Sequence, residues 1–184
     1  PHADHVHGID DLRLVAFNSG RRIPVWTDAG TARHMRERFT YAFSTPPGSG
    51  YPPICDLHEI EGPVTIDGAG GPLSFQPFTV EHGAIPALGF RVGGLAYLPD
   101  VSEIPDAAWP ALHGLDCLIV DALRYKPHPT HAHLERTLGW IGRLRPARAV
   151  VTNMHVDLDY ATLAAELPPG VVPAFDGLAV PFEP

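Results

Sequence analysis

The chain opens with Pro1-His2-Ala3-Asp4-His5-Val6-His7-Gly8, a stretch that crowds three imidazoles and a carboxylate into a few positions. Neutral imidazole and carboxylate are ligands that zinc, manganese and iron all accept. A metal site takes about four ligands, so these residues would need partners from later in the chain. The alternative is that the stretch only caps a helix, since Asp is common at helix starts.

Length and composition predict a single domain over residues 1–184, because 184 residues with 45% hydrophobic content bury one core. No apolar run approaches the ~20 residues that a membrane helix needs, so no membrane partner is expected. Cys55 and Cys117 do not suggest a disulfide framework, although a single bridge stays open. Such cysteine usage favours a reducing compartment, and we expect a cytoplasmic protein. A net charge of −8 disfavours long nucleic acid as a partner.

Short apolar runs alternate with amphipathic stretches, which is typical of α/β layers. An early strand at Ile23–Trp26 is followed by a predicted helix from Asp28 to Ala42, capped by Thr27 or Asp28. A predicted antiparallel meander comprises Asp56–Ile60, Val64–Ile66, Leu73–Val80, Leu88–Val92 and Leu95–Leu98. The second half predicts helices at Asp106–His113, His131–Leu144 and Tyr160–Glu166, with strands at Cys117–Val120, Ala149–Val151, Val171–Val172 and Leu178–Val180.

Polar side chains follow several of these predicted strands directly. His82 follows one apolar run, Asp100 and Asp121 follow two others, and Asn153 and His155 follow a fourth. Strand ends and the loops leaving them bring ligands and catalytic groups together, so we expect these residues to converge on the opening cluster. A carboxylate can bridge two cations, and Asp100 is the candidate bridge. Each residue alone could be a surface, turn or capping residue; their joint occurrence favours a metal site.

The opening stretch resembles the end of the His-x-His-x-Asp-His signature of the metallo-β-lactamase superfamily. The first His of that signature would stand immediately before Pro1. The resemblance implies an α/β fold, a four-layer αββα sandwich whose N-terminal strands would be missing from this chain.

The resemblance also implies two divalent metal ions, with zinc and manganese as the first candidates and iron as a third. One ion would take His2, His82 and Asp100 together with the signature histidine expected before Pro1, and the other would take Asp4, His5, Asp100 and His155. Asp4 is also predicted to be a catalytic residue. Many relatives carry a histidine where this chain has Asn153, and His155 is preferred as the ligand because an Asn amide binds these ions poorly.

A narrower match lies in Asp121-Ala122-Leu123-Arg124-Tyr125-Lys126-Pro127-His128-Pro129-Thr130-His131. It resembles the branch that contains the phosphonate-operon cyclic phosphodiesterase and, more distantly, tRNase Z. The resemblance implies that His131 protonates a leaving oxygen, and Asp121 could orient its imidazole. Arg124 and His128 are the candidate substrate-binding residues.

The function expected from these residues is a binuclear metal-dependent hydrolase, in which a metal-bound hydroxide attacks a small, cyclic or nucleotide phosphodiester. Two alternatives stay open. One is an ester, thioester or lactone hydrolase that uses the same metals, and the other is a non-catalytic member that binds a nucleotide. The expected partner is a small phosphorylated substrate, and the dimers common among relatives make a homodimer a further expectation.

Overall fold

The computed structural model describes residues 1–182, and the chain divides into two compact units, Pro1–Gly62 and a second unit that begins at Pro63. The first unit contains the helices α1 (Ala3–Val6), α2 (Leu12–Ser19), α3 (Ala29–Arg38) and α4 (Thr40–Phe43), and a 3₁₀ helix at His7–Asp11. Its strands β1 (Ile23–Thr27) and β2 (Cys55–Glu59) pair in parallel, with Ile23 opposite Cys55.

The first unit has its own small core, formed by Ile9, Ala16, Met35, Ala42, Ile54 and Cys55. Asp28 caps α3, because its Oδ1 accepts hydrogen bonds from the backbone N–H groups of Gly30 and Thr31. The exposed ion pairs Arg22–Asp56 and Arg36–Glu59 connect the strand pair with the adjacent segments.

The second unit is built on a seven-stranded sheet in the order β3-β4-β5-β6-β7-β8-β9. The strands are β3 (Val64–Gly68), β4 (Gly71–His82), β5 (Ile85–Val92), β6 (Leu95–Leu98), β7 (Cys117–Asp121), β8 (Arg148–Thr152) and β9 (Val171–Pro173). Pairing is antiparallel from β3 to β6 and parallel from β6 to β9. The helices are α5 (Leu134–Leu144), α6 (Tyr160–Glu166) and a 3₁₀ helix at Asp106–Leu112.

The helices of the second unit cover a continuous apolar core that includes Val80, Leu98, Leu118, Val120, Trp140, Val151 and Leu163. Thr137 of α5 is fully buried and donates its hydroxyl to the carbonyl of Asp121, 2.6 Å away. The end of β7, where the candidate site lies, is therefore fixed against α5 by a buried hydrogen bond.

The α/β class predicted from the sequence is confirmed, and four local predictions differ from the structure. Cys55–Glu59 pairs in parallel with β1 and is no part of the meander. The helix predicted over 28–42 is divided at Phe39, whose backbone is not helical. Helix α5 begins only at Leu134, because His133 is extended. Leu178 donates its N–H to Phe175 in a turn, and 178–180 form no strand.

Helix α5 has 11 residues, about half of what a bilayer requires. Within residues 1–182, no helix combines the length and apolar character needed to cross a membrane.

Candidate metal and catalytic site

Four strands of the second unit end at the same edge of the sheet. β6, β7 and β8 are parallel, and β4 runs in the same direction because two antiparallel pairings separate it from β6. The residues at or directly after these four ends are His82, Asp100, Asp121 and Asn153. The topology thus gathers four polar side chains from distant parts of the sequence, as in other sheets where ligands bind at carboxyl ends.

The loop that follows β6 is tied to the end of β4, which brings His82 and Asp100 together. Glu81 exchanges backbone hydrogen bonds with Ser102 and Glu103, at 2.7–3.4 Å. The Ser102 hydroxyl accepts from the Gly83 N–H at 3.0 Å. These bonds set the separation between the His82 Nε2 and the Asp100 Oδ2 at 3.8 Å.

His82 and Asp100 have the geometry of two ligands of one divalent ion. Both are buried, and the His82 Nδ1 lies 2.6 Å from the carbonyl oxygen of Thr130. Because a carbonyl only accepts, Nδ1 carries the proton and Nε2 presents a lone pair, the arrangement that metal-ligating histidines use. Two donors bound to one ion at about 2.1 Å lie about 3.4–4 Å apart. The residues present therefore fit a metal ion.

Asp121 and His131 form a second pair beside the first. The fully buried Oδ2 of Asp121 lies 2.7 Å from the His131 Nδ1 and accepts from the Val101 N–H at 3.2 Å. Burial raises the pKa of Asp121 to about 8; the negative charge of Asp100 adds to this, and backbone N–H donors oppose it. The rings of His131 and His82 lie 4.6 Å apart. Since Nδ1 of His131 faces Asp121, proton exchange with a substrate would go through Nε2.

His131 sits on a loop closed at its neck by two backbone hydrogen bonds, from Leu123 N–H to Ala132 and from Leu134 N–H to Arg124. The Arg124 guanidinium donates to the carbonyls of Lys126 and Pro127 at 3.1 and 2.8 Å. Arg124, predicted to bind substrate, is thus engaged with the carbonyls of its own loop.

His128, the other predicted substrate-binding residue, lies on the same loop with its ring 5.4 Å from that of His131. Burial lowers the pKa of His128, and the neighbouring Arg124, His131 and His82 lower it further. Its Nδ1 accepts from the Thr130 N–H at 3.3 Å. A neutral ring that accepts at Nδ1 carries its proton on Nε2, so His128 offers one N–H donor at the site.

Asn153 contacts Asp100, whereas the contacts of the His155 ring, the ligand predicted from the sequence, are with Asp157. The Asn153 amide donates to Asp100 Oδ1 at 3.1 Å and to the Pro99 carbonyl at 3.2 Å. The His155 ring is half exposed, and its Nδ1 lies 3.3 Å from the Asp157 N–H and 3.4 Å from its carboxylate. This contact of Asn153 was not predicted from the sequence, although the position of Asn153 directly after β8 indicates it.

The opening motif lies in the first unit. His2 precedes α1, and Asp4 and His5 are in its single turn, with the His5 Nε2 at 3.4 Å from the Asp4 carboxylate. The polar groups of Asp4 and His5 are exposed, so α1 presents one carboxylate and one imidazole as a pair.

Fold and site define an α/β protein with a cluster of His and Asp side chains at one edge of its main sheet. Residues 1–154 match the family described as a beta-lactamase superfamily domain. The chain therefore belongs to the beta-lactamase superfamily, and the resemblance seen in its opening motif is confirmed.

Solved structures agree with this assignment. A crystal structure of a new diphosphatase from the PhnP family has a TM-score of 0.87 and 34% identity, covering 99% of this chain and 68% of its own. Zn²⁺-bound PqqB from Methylobacterium extorquens (TM-score 0.68, 16% identity, 97% and 70% covered) shows the same fold. Human tRNase Z, short form, does so too (0.57, 15%, 88% and 68%). The fold is that of the metallo-β-lactamases, in the PhnP and tRNase Z-like branch.

One curated relative carries a different name. An octanoyltransferase of Porphyromonas gingivalis (strain ATCC BAA-308 / W83) is 31% identical over 180 residues, 96% of this chain. The chain spans only about a third of that protein, 35% of its length. Most of that octanoyltransferase therefore lies outside the segment that matches this chain.

Proposed function

We propose that this protein is a metal-dependent hydrolase of a small phosphodiester or diphosphate, including nucleotides, in which His131 protonates the leaving oxygen. The observation that carries the proposal is the placement of His131. Its Nδ1 lies 2.7 Å from the buried Asp121 carboxyl group, and its ring lies 4.6 Å from that of His82. An imidazole oriented next to a metal-competent histidine is suited to general acid catalysis.

The metal would be held in the second unit by the His82 Nε2 and the Asp100 Oδ2. The sequence resemblance adds His2, Asp4 and His5 of the first unit as further proposed ligands, with zinc or manganese as the ion. A divalent cation in such a site polarises phosphoryl oxygens and lowers the pKa of bound water. The Thr130 carbonyl fixes the ring of His82, so the ligand is oriented before the ion arrives.

Three side chains would act on the substrate or on its proton. Asp121 holds the imidazole of His131 through Nδ1 and directs Nε2 to the leaving oxygen. His128 offers one N–H donor to a phosphoryl oxygen, because its neutral ring accepts from Thr130 at Nδ1. Alkoxide leaving groups need a proton in the transition state, and a positioned acid of this kind contributes roughly 10²–10⁴-fold to the rate.

The choice of a phosphoryl substrate is supported by the 34% identity to a diphosphatase of the PhnP family over nearly the whole chain. A small substrate is favoured because the net charge of −8 disfavours a long polyanion.

A second candidate is an acyl ester or thioester hydrolase with the same metal chemistry. The relative named for octanoyl transfer favours it, although only 35% of that protein is covered. Parallel assays of an aryl phosphodiester, a nucleoside diphosphate derivative and an acyl ester at equal metal content separate the two candidates. Turnover of the ester alone would contradict the phosphoryl assignment.

The general acid role of His131 is tested with His131→Ala. We expect a loss of roughly 10²–10⁴-fold in kcat on an alkyl phosphodiester and little loss on a nitrophenyl phosphodiester, whose leaving group needs no proton. His133→Ala is the matched control, because His133 lies on the same loop and its Nε2 faces the exposed Glu135, at 4.0 Å. Equal losses on both substrates would exclude the acid role.

A further inference from the structure

We propose that this chain binds one divalent ion tightly, at His82 and Asp100, and that Asn153 prevents Asp100 from sharing a second ion of equal affinity. The inference rests on the proposed metal-dependent function and deepens it. The sequence resemblance implies two ions bridged by Asp100, so the proposal concerns a difference between this chain and that pattern.

The orientation of the Asn153 amide follows from the two oxygen atoms beside its Nδ2, which also lies 3.4 Å from the His131 Nδ1. The Pro99 carbonyl oxygen and Asp100 Oδ1, at 3.2 and 3.1 Å, are both acceptors. Only the NH₂ group can face two acceptors, because a flipped amide would place its oxygen against theirs. Asn153 therefore turns one N–H donor to Asp100 Oδ1 and the other to the Pro99 carbonyl, and it presents no ligand atom to Asp100 Oδ1.

The two oxygens of Asp100 consequently differ. Oδ2 faces the lone pair of the His82 Nε2 at 3.8 Å, which is the geometry of a shared ion. Oδ1 receives the amide N–H of Asn153. A cation at Oδ1 would share this oxygen with the donor, and the partial positive charge of the amide N–H would oppose the cation.

No imidazole of the same segment replaces the missing ligand. His155 is two residues beyond Asn153, and its Nδ1 lies beside the N–H and the carboxylate of Asp157. The backbone at Asn153 has φ 59°, a left-handed conformation that Asn and His adopt more readily than other side chains. A histidine at position 153 is therefore compatible with the backbone.

The experiment counts ions in the full chain. The purified protein is dialysed against chelator, titrated with Mn²⁺ or Zn²⁺ by calorimetry, and its bound metal is measured by plasma mass spectrometry. We expect one tight ion per chain and a second that binds at least about 10-fold more weakly, a difference of about 1.4 kcal/mol in binding free energy. Asn153→His should tighten the second ion by about 10-fold or more, and His155→Ala should leave both affinities unchanged.

Asn153→Ala keeps the test decisive if Asn153→His does not fold, as judged by circular dichroism. This variant removes the donor without adding a ligand, and we expect tighter second-ion binding than in the native chain. An unchanged second affinity in the folded variants would overturn the inference. Two ions of equal affinity in the native chain, or loss of an ion in His155→Ala, would also overturn the inference. If hydrolysis is still observed in these cases, the proposed function stands. A native chain that binds no ion and is inactive would overturn the proposed function as well.

Discussion

At the scale of single residues, Asp121 is the most constrained group of the site. It is fully buried, one of its oxygens contacts His131 and Val101, and the other has no partner in the part of the chain that the structure describes. Burial of such a carboxyl group costs stability when it ionises, which is why its pKa rises to about 8. Asp121 is therefore positioned to orient His131, although the burial of its carboxyl group lowers the stability of the protein.

Asp121→Asn should separate these two effects. In the metal-free protein, the unfolded chain loses the Asp121 proton near pH 4 and the folded chain only near pH 8. The stability of the native sequence therefore falls as pH rises through this window, and the Asn variant lacks that fall. We expect the variant to gain in relative stability from pH 4 to pH 8, by at most about 5 kcal/mol, in urea titrations with chelator present.

The same variant should lose activity, by about 10²-fold in kcat with metal restored, because His131 loses the carboxylate that orients it. Asp116→Asn is the matched control, since Asp116 is an exposed aspartate just before the other end of β7. A parallel pH dependence in Asp121→Asn and the native protein would contradict the burial argument.

The convergence of His82, Asp100 and Asp121 could be predicted from the sequence, because apolar runs ending in His or Asp place those groups at the ends of strands. The choice between Asn153 and His155 could not. It depends on a left-handed backbone at position 153 and on two acceptors from residues 99 and 100, which no local pattern encodes. The metal preference of the side chains favoured His155 in the sequence, whereas in the structure the amide of Asn153 contacts Asp100.

At the scale of elements, strand positions were predicted more accurately than strand partners. Val64–Gly68 and Leu95–Leu98 lie where alternation and turn residues indicate them, since these signals are local. Asp56–Ile60 was predicted to belong to the meander, but the strand there, Cys55–Glu59, pairs with Ile23–Thr27, about 30 positions earlier. A parallel pair of strands needs a long connection, which here contains α3 and α4. The residue pattern of one strand does not show which other strand it pairs with.

The loop between β7 and α5 is the element that carries the proposed acid. Its carbonyls at Lys126 and Pro127 are held by the Arg124 guanidinium, and its Thr130 carbonyl is held by the buried His82. The proposed metal ligand His82 and the proposed acid His131 are thus linked through the same loop. Loosening this loop should therefore lower kcat more than it weakens substrate binding.

Arg124→Gln tests this positioning role against the predicted contact with substrate. A loosened loop misplaces the proposed acid His131, so we expect kcat to fall about 10-fold with little change in KM. Amide hydrogen exchange over residues 125–130 should become faster. Lys126→Gln is the control, because Arg124 holds the backbone carbonyl of Lys126, which this substitution leaves in place. A rise in KM with unchanged exchange would instead support the substrate contact.

At the scale of the whole molecule, an acidic chain with a net charge of −8 places two carboxyl groups, Asp100 and Asp121, at one edge of its main sheet. The charge of Asp100 contributes to the raised pKa of Asp121, so the two groups repel each other when both are ionised. A divalent cation at Asp100 would relieve this repulsion. Metal binding and the stability of the fold should therefore be coupled.

Removal of metal is expected to lower the melting temperature. An ion that binds only the folded chain at 100 times its Kd stabilises it by about 2.7 kcal/mol, which for a chain of this length corresponds to a shift of roughly 5–10 °C. Differential scanning calorimetry with chelator, and again after Zn²⁺ or Mn²⁺ is returned, measures the shift. His82→Ala should melt at the same temperature with and without metal, whereas His34→Ala, which removes an exposed imidazole from α3, should keep the native response. If neither chelator nor added metal changed the melting temperature of the native protein, metal binding and fold stability would not be coupled. This result would also contradict the proposal that His82 and Asp100 are metal ligands.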